Sequence, residues 1–357
     1  MPLAAAGVFF VAATAAFFLY QPGFTIQGGK GDASSSRPFV YPPLDIAAYN
    51  AKLEQIANVP LEYIRVRISS STTSTMVVAT STPSHWPVKG NPYPLGGAIL
   101  PFKRVVAYYG NFYSTQMGVL GEYPPDQMIQ MLKDQAAAWQ AADTSTPVIP
   151  ALDYIAVAAQ AGPGPDGMYR LRMPPSQIQK ALELVKPLDG LVVLDVQIGL
   201  STVEKEVPLL EQFLKLPNVE LALDPEFSMR DGGTPGTRIG TMDAKDINWA
   251  IAYLSNLVKT DKLPPKFIVI HDFTNEMVTN WQDIRPTSAV QVVMDMDGFG
   301  TPAQKIKTYT SVIDTEPVQF TGFKLFYKND ILQPGSHLMG PAEVLKLSPQ
   351  PSFIQYQ

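Results

Sequence analysis

Residues 219–227 read Val-Glu-Leu-Ala-Leu-Asp-Pro-Glu-Phe. Side chains alternate along a strand, so Leu221 and Leu223 face one way and Ala222, Asp224 and Glu226 the other. The leucine side can pack beneath helices. The other side is small, then acidic toward the strand's C-terminal end. Parallel barrels carry their reactive groups at that end. The stretch therefore predicts one strand of eight in a (β/α)8 TIM barrel, with its carboxylates in a polar mouth.

Working outward, strand-like stretches recur at 104–110, 147–152, 191–196, 219–224, 267–271, 291–295, 323–327 and 352–356. Helix-like stretches lie between them at 125–142, 175–185, 202–216, 243–259, 275–283, 302–313 and 341–347. Pro125, Pro175 and Pro302 stand where a first helical turn tolerates proline. The order and the length match an α/β barrel that closes on a C-terminal strand. A doubly wound open sheet fits less well, because no Gly-rich phosphate loop follows the first strand.

The barrel domain is expected over 101–357. Before it, 23–100 reads as a Ser/Thr/Pro-rich linker with one short helix at 45–57, capped by Asp45, and a flexible stalk at 69–84. Residues 3–20 are uncharged and apolar, so 1–22 reads as a transmembrane anchor or signal-like segment. The chain is expected to be membrane-anchored and extracytoplasmic. A net charge of −5 leaves no basic stripe for nucleic acid. The absence of cysteine removes disulfides, thiolate nucleophiles, thiolate metal sites and a lipid-anchored form.

Several strand ends carry polar residues two apart, which sends both side chains into one lumen. Asp195 and Gln197 form one such pair, Asp224 and Glu226 a second, Asp295 and Asp297 a third. Tyr108, Tyr109 and Asn111 end the first strand, Asp153 and Tyr154 follow the second, and His271 ends the fifth. Lys324, Tyr327 and Lys328 belong to the seventh. Crowded carboxylates hold one acid protonated and another ionised, as glycoside hydrolysis requires, and aromatic faces suit sugar rings. Glu226 is the expected acid, with Asp224, Asp195 or Asp295 as its partner. Tyr108, Tyr109, Asn111, Asp153, Tyr154, Gln197, His271, Asp297, Lys324, Tyr327 and Lys328 are expected to bind substrate. No cofactor and no metal are expected, and the partner is a glycan or polysaccharide.

Val-Ala-Tyr-Tyr-Gly-Asn (106–111), Leu-Asp-Val-Gln (194–197), Leu-Asp-Pro-Glu-Phe (223–227), the 239–248 stretch, Met-Asp-Met-Asp-Gly (294–298) and the closing Ile-Gln-Tyr-Gln (354–357) carry a resemblance. On them the chain resembles a family of uncharacterised bacterial envelope proteins with a glycoside-hydrolase-like TIM barrel. Its relatives lie in candidate-phylum bacteria and, more distantly, among actinobacterial lipoproteins. The resemblance implies the fold and an envelope location, and it assigns no catalytic residue. Residues 189–197 are also similar to the Asp-Gly-x-Asp-x-Asp-x-Glu strand of chitinase-like barrels, but Gln197 replaces the final acid and the middle Asp is missing. Two other readings compete with a hydrolase. One is a non-catalytic glycan-binding or cell-surface barrel, with acids paired to Arg238, Lys324 or Lys328. The other is a divalent-metal hydrolase on Asp195, Asp224, Glu226, His271 and Asp295.

Overall fold

The computed structural model describes residues 41–59, 61–67, 75–81 and 84–357. The expected anchor, the linker residues before 41, and residues 69–74 and 82–83 of the expected stalk lie outside them. Among the described residues no helix is long and apolar enough to cross a membrane.

Eight parallel strands close into a barrel: β1 Arg104–Gly110, β2 Val148–Ala159, β3 Leu191–Val196, β4 Val219–Leu223, β5 Lys266–Asp272, β6 Val290–Met296, β7 Phe320–Leu325 and β8 Phe353–Tyr356. Each pairs with the next in sequence, and β8 pairs with β1 to close the ring. A short antiparallel strand, Arg170–Arg172, extends the edge of β2. The alternation read in the sequence is realised. Leu221 and Leu223 join the apolar layer under the helices, while Ala222 joins an interior cluster with Val105, Ala107, Val193, Val269 and Phe353. The helix Ile46–Ala57, capped by Asp45 as expected, sends Tyr49 and Ile56 into that interior cluster together with Leu100. The lower barrel is thus an apolar plug, which leaves the C-terminal half of the lumen for polar side chains.

Several expected elements differ. The 202–216 helix is broken into Val203–Glu206, a 3-10 turn Val207–Leu210 and Glu211–Leu214, because Pro208 cannot donate a helical hydrogen bond. The expected helix at 275–283 is replaced by the short strand Val278–Thr279 and a 3-10 turn Trp281–Asp283. The last helix is shortened to Pro341–Val344. Within the expected flexible stalk, Thr75–Ser81 is a strand, paired antiparallel with Leu61–Arg67. The β-branched residues of both segments favour that extended pairing over a loose coil. Seven of the eight strands lie within a few residues of expectation, and β2 continues well past it to Ala159.

Candidate functional site

Above the apolar plug the strands deliver a polar layer. β4 ends at Leu223, and Pro225–Phe227 is a 3-10 turn, so Glu226 is not carried on the strand as expected. Pro225 fixes the turn, and the Asp224 carboxylate accepts the Glu226 backbone N–H at 3.2 Å. Both carboxyls still reach the mouth from this one segment.

His271 stands at the centre. Its Nε2 is 3.0 Å from Asp195 Oδ2, and its Nδ1 lies 3.3 Å from Asp295 Oδ2 and 3.4 Å from Asp297 Oδ2. The contact with Asp295 is an ion-pair approach without hydrogen-bond alignment, which leaves both Asp295 oxygens unpartnered. Lys324 Nζ contacts Asp297 Oδ1 at 2.8 Å and sits 4.0 Å from the Tyr109 ring centroid. Gln197 donates to Tyr109 Oη at 3.0 Å and to Asp224 Oδ2 at 3.2 Å, and accepts from the Ala159 N–H. Gln355 donates to Asp153 Oδ2 at 2.6 Å. Gly322 makes room for this layer: a Cβ there would stand 2.2 Å from Asp295 Oδ1. We expect Gly322→Ala to destabilise the fold by about 1–3 kcal/mol through overpacking. A melt of the single variant against Gly322→Ala/Asp295→Ala measures it, since the second change restores the space; equal losses in both would reject the steric account.

Burial governs the electrostatics. Asp153, Asp195, His271 and Asp295 are completely buried, and Asp224 nearly so. Burial, then neighbouring carboxylates, pushes Asp153 and Asp224 well above the usual carboxylate range. Burial also raises Asp195 and Asp295, against the opposing pull of His271. Burial opposes the imidazolium of His271, but the hydrogen bond to Asp195 and the contacts with Asp295 and Asp297 outweigh it and hold the ring charged. Lys324 is likewise held charged against burial by Asp297. Glu226 differs in keeping partial exposure. Its carboxyl is pushed up to about 7 by burial and then by the Asp297 charge.

The expected site residues therefore separate into two groups. Tyr109, Asp153, Asp195, Gln197, Asp224, Glu226, His271, Asp295, Asp297 and Lys324 belong to one connected cluster. Tyr108, Tyr327 and Tyr154 instead pack in or against the layer between strands and helices. The Tyr108 hydroxyl meets that of Tyr327 at 2.9 Å, because odd and even positions of β1 face opposite sides. Asn111 is spent on the β1–helix loop, bonding the Ile155 carbonyl, the Tyr154 hydroxyl and the Tyr113 N–H. Lys328 is exposed and pairs with Glu122, and Arg238 pairs with Asp231 on an exposed loop. Gln355 was missed, although its place two residues after the inward Phe353 signalled it. Among the described residues no group of three or more His, Cys, Asp or Glu is arranged to hold a metal ion.

No family model and no curated protein matches the chain. Among solved structures it is similar to HPPK-DHPS of Plasmodium falciparum crystallised with pteroate, at TM-score 0.34 and 10% identity over 71% of this chain and 44% of that one. A second HPPK-DHPS, in complex with substrates, gives TM-score 0.34 and 11% identity over 87% and 55%. GH26C from Muricauda sp. gives TM-score 0.28 and 12% identity over 71% and 70%. The chain spans about half the length of the two HPPK-DHPS chains.

Proposed function

We propose that this barrel is a carboxylate-based glycoside hydrolase acting on a cell-envelope or environmental glycan. The reading rests on one observation. Glu226 combines partial exposure with a carboxyl held near 7, beside an Asp297 carboxylate paired to Lys324. A general acid needs to be protonated yet ready to give up its proton near the working pH. Glu226 has that property, and its neighbour Asp297 would serve as the ionised partner. Asp195, Asp295 and Asp153 lie beneath, shielded from solvent, and act on the mouth through His271 and Asp297 rather than by touching a sugar. The apolar 3–20 segment supports display outside the membrane.

The test is release of reducing ends from a panel of envelope and plant glycans by the full chain, with Glu226→Gln as the paired control. Turnover by the parent that vanishes in the variant supports the reading; equal turnover by both removes Glu226 as the acid. The near-complete burial of the acids under the mouth favours a second reading, a non-catalytic glycan-binding barrel. On that reading the parent binds a panel member and releases no reducing ends.

A further inference from the structure

Lys305 and Asp330 are two charged residues outside the lumen, and both are essentially inaccessible to solvent. Burying a charge is costly without a partner, so a completely buried lysine on the outer helix Pro302–Thr308 calls for a reason. Its ammonium is fully engaged. Nζ lies 3.1 Å from Asp330 Oδ2, donates to the Gly298 carbonyl at 2.7 Å, and stands 5.2 and 5.1 Å from the ring centroids of Phe323 and Phe326. Asp330 is equally committed. Oδ1 accepts the Gly300 N–H at 2.9 Å, and Oδ2 accepts the Phe326 N–H at 3.0 Å.

These contacts tie together two loops that share no backbone hydrogen bond among the described residues, each being held instead by a neighbouring strand: the Asp297 N–H donates to the Asp272 carbonyl and the Tyr327 N–H to that of Gln357. Gly298 and Gly300 follow Asp297 at the end of β6, and Phe326 follows Lys324 at the end of β7. The Phe326 ring also lies 5.1 Å from Lys324 Nζ, so one ring neighbours both ammonium groups. Gly300 holds φ +145°, and a Cβ there would stand 2.7 Å from the Gln304 side chain, so the loop has one tight path back to the helix. We propose that Lys305 and Asp330 form a clasp that positions Asp297 against Lys324 at the mouth of the barrel. The catalytic consequence rests on the hydrolase reading, whereas the positioning itself does not. Lys324 is fixed on its strand against Tyr109, and the Asp297 N–H is bonded to the Asp272 carbonyl, so what an opened clasp would free is the Asp297 side chain and the loop that follows it.

The experiment is Asp330→Asn in the full chain, with Lys305→Met as a second variant. An asparagine has one acceptor oxygen for two backbone donors and no charge for Lys305. Leu257→Ala, on the helix Ala244–Asp261, serves as a control with comparable destabilisation and no link to the mouth. The Glu226 carboxyl is titrated by 13C NMR, and turnover is measured on any panel glycan that the parent cleaves. Because the Asp297 charge raises Glu226, opening the clasp should lower the Glu226 midpoint by about half a pH unit or more in Asp330→Asn. The control should leave it in place. With a cleaved glycan, kcat should fall about tenfold with KM changed less than about threefold, as expected for a misplaced group in the transition state. A shifted midpoint without any turnover by the parent upholds the clasp and rejects the hydrolase. An unshifted midpoint in both folded variants overturns the clasp, whatever the parent does to glycans.

Discussion

The melting temperature of the barrel should fall by about 10 °C between pH 5 and pH 8, opposite to the trend of a protein held by exposed salt bridges. The cause is a set of buried acids whose folded pKa lies above the unfolded value. Glu220 on β4 is completely buried, and burial pushes it up to about 7 against the charge of Lys266. Asp272 at the end of β5 is pushed up to about 7 by burial, and its neighbour Glu316 up to about 9 by burial and then by the Asp272 charge. Such groups hold protons in the fold that the unfolded chain has already released. Stability then falls as pH rises from the unfolded pKa, near 4, to the folded one. His271 adds to the same slope. Its folded pKa is raised, so the stability it contributes is full below about 6.5 and is lost as pH rises further.

Acids with depressed folded pKa, such as Glu206 between Arg170 and Arg172, reach their full contribution by about pH 5. They cannot cancel the fall above it. A single acid raised from 4.5 to about 7 is linked to about 3 kcal/mol. Coupling of Glu220 to Lys266 and of Asp272 to Glu316 reduces the sum, leaving a total of about 3–5 kcal/mol over the window. A domain of this size shifts by about 2–4 °C per kcal/mol. Calorimetry across pH 5 to 8 checks the slope, and Glu220→Gln with Glu316→Gln should flatten much of it. A melting temperature that is level or rises over that window would show that these acids are ionised in the fold.

The fold was legible because period-two alternation survives in every strand that builds the barrel. Leu221 and Leu223 against Ala222 and Asp224 is the clearest instance. The stop of β4 was not legible, since Asp224-Pro225 reads equally as strand end or turn, and the turn was decided by a side-chain cap. Strand ends named the right segments for the cluster, and alternation alone would have sorted Tyr109 from Tyr108. Lys305 could not be found this way. It lies on a helix with a second lysine, Lys307, and only the tertiary meeting of the β6 and β7 loops gives its ammonium a carboxylate and a carbonyl. The broken 275–283 segment shows the same limit. Its apolar spacing suits a helix, yet Val278 and Thr279 pair with Met242 and Asp243 instead.

Glu226→Gln should lower turnover of an unactivated glycoside by about 10²–10⁴-fold. The amide keeps the shape of the side chain but has no proton to give the departing glycosidic oxygen. The loss should shrink on an aryl glycoside, whose leaving group departs without protonation, and this separates a lost acid from a collapsed site. The pH profile carries a second signature. Glu226 must be protonated to act, and its carboxyl is held near 7, so the parent rate should fall as pH rises through that value. The Asp297 charge is the largest neighbouring influence that raises Glu226. Asp297→Asn should therefore move this alkaline limb to lower pH while also slowing the reaction, because the ionised partner is gone. The same loss on natural and aryl glycosides, with an unmoved alkaline limb in Asp297→Asn, would mean that Glu226 shapes the mouth and does not transfer the proton. The buried layer beneath explains how one carboxyl of the mouth stays protonated near neutrality. Asp195, Asp295 and His271 fill the space below Asp297 with buried side chains, so Lys324 pairs with Asp297 from the mouth side, and Glu226 feels the Asp297 charge with little screening.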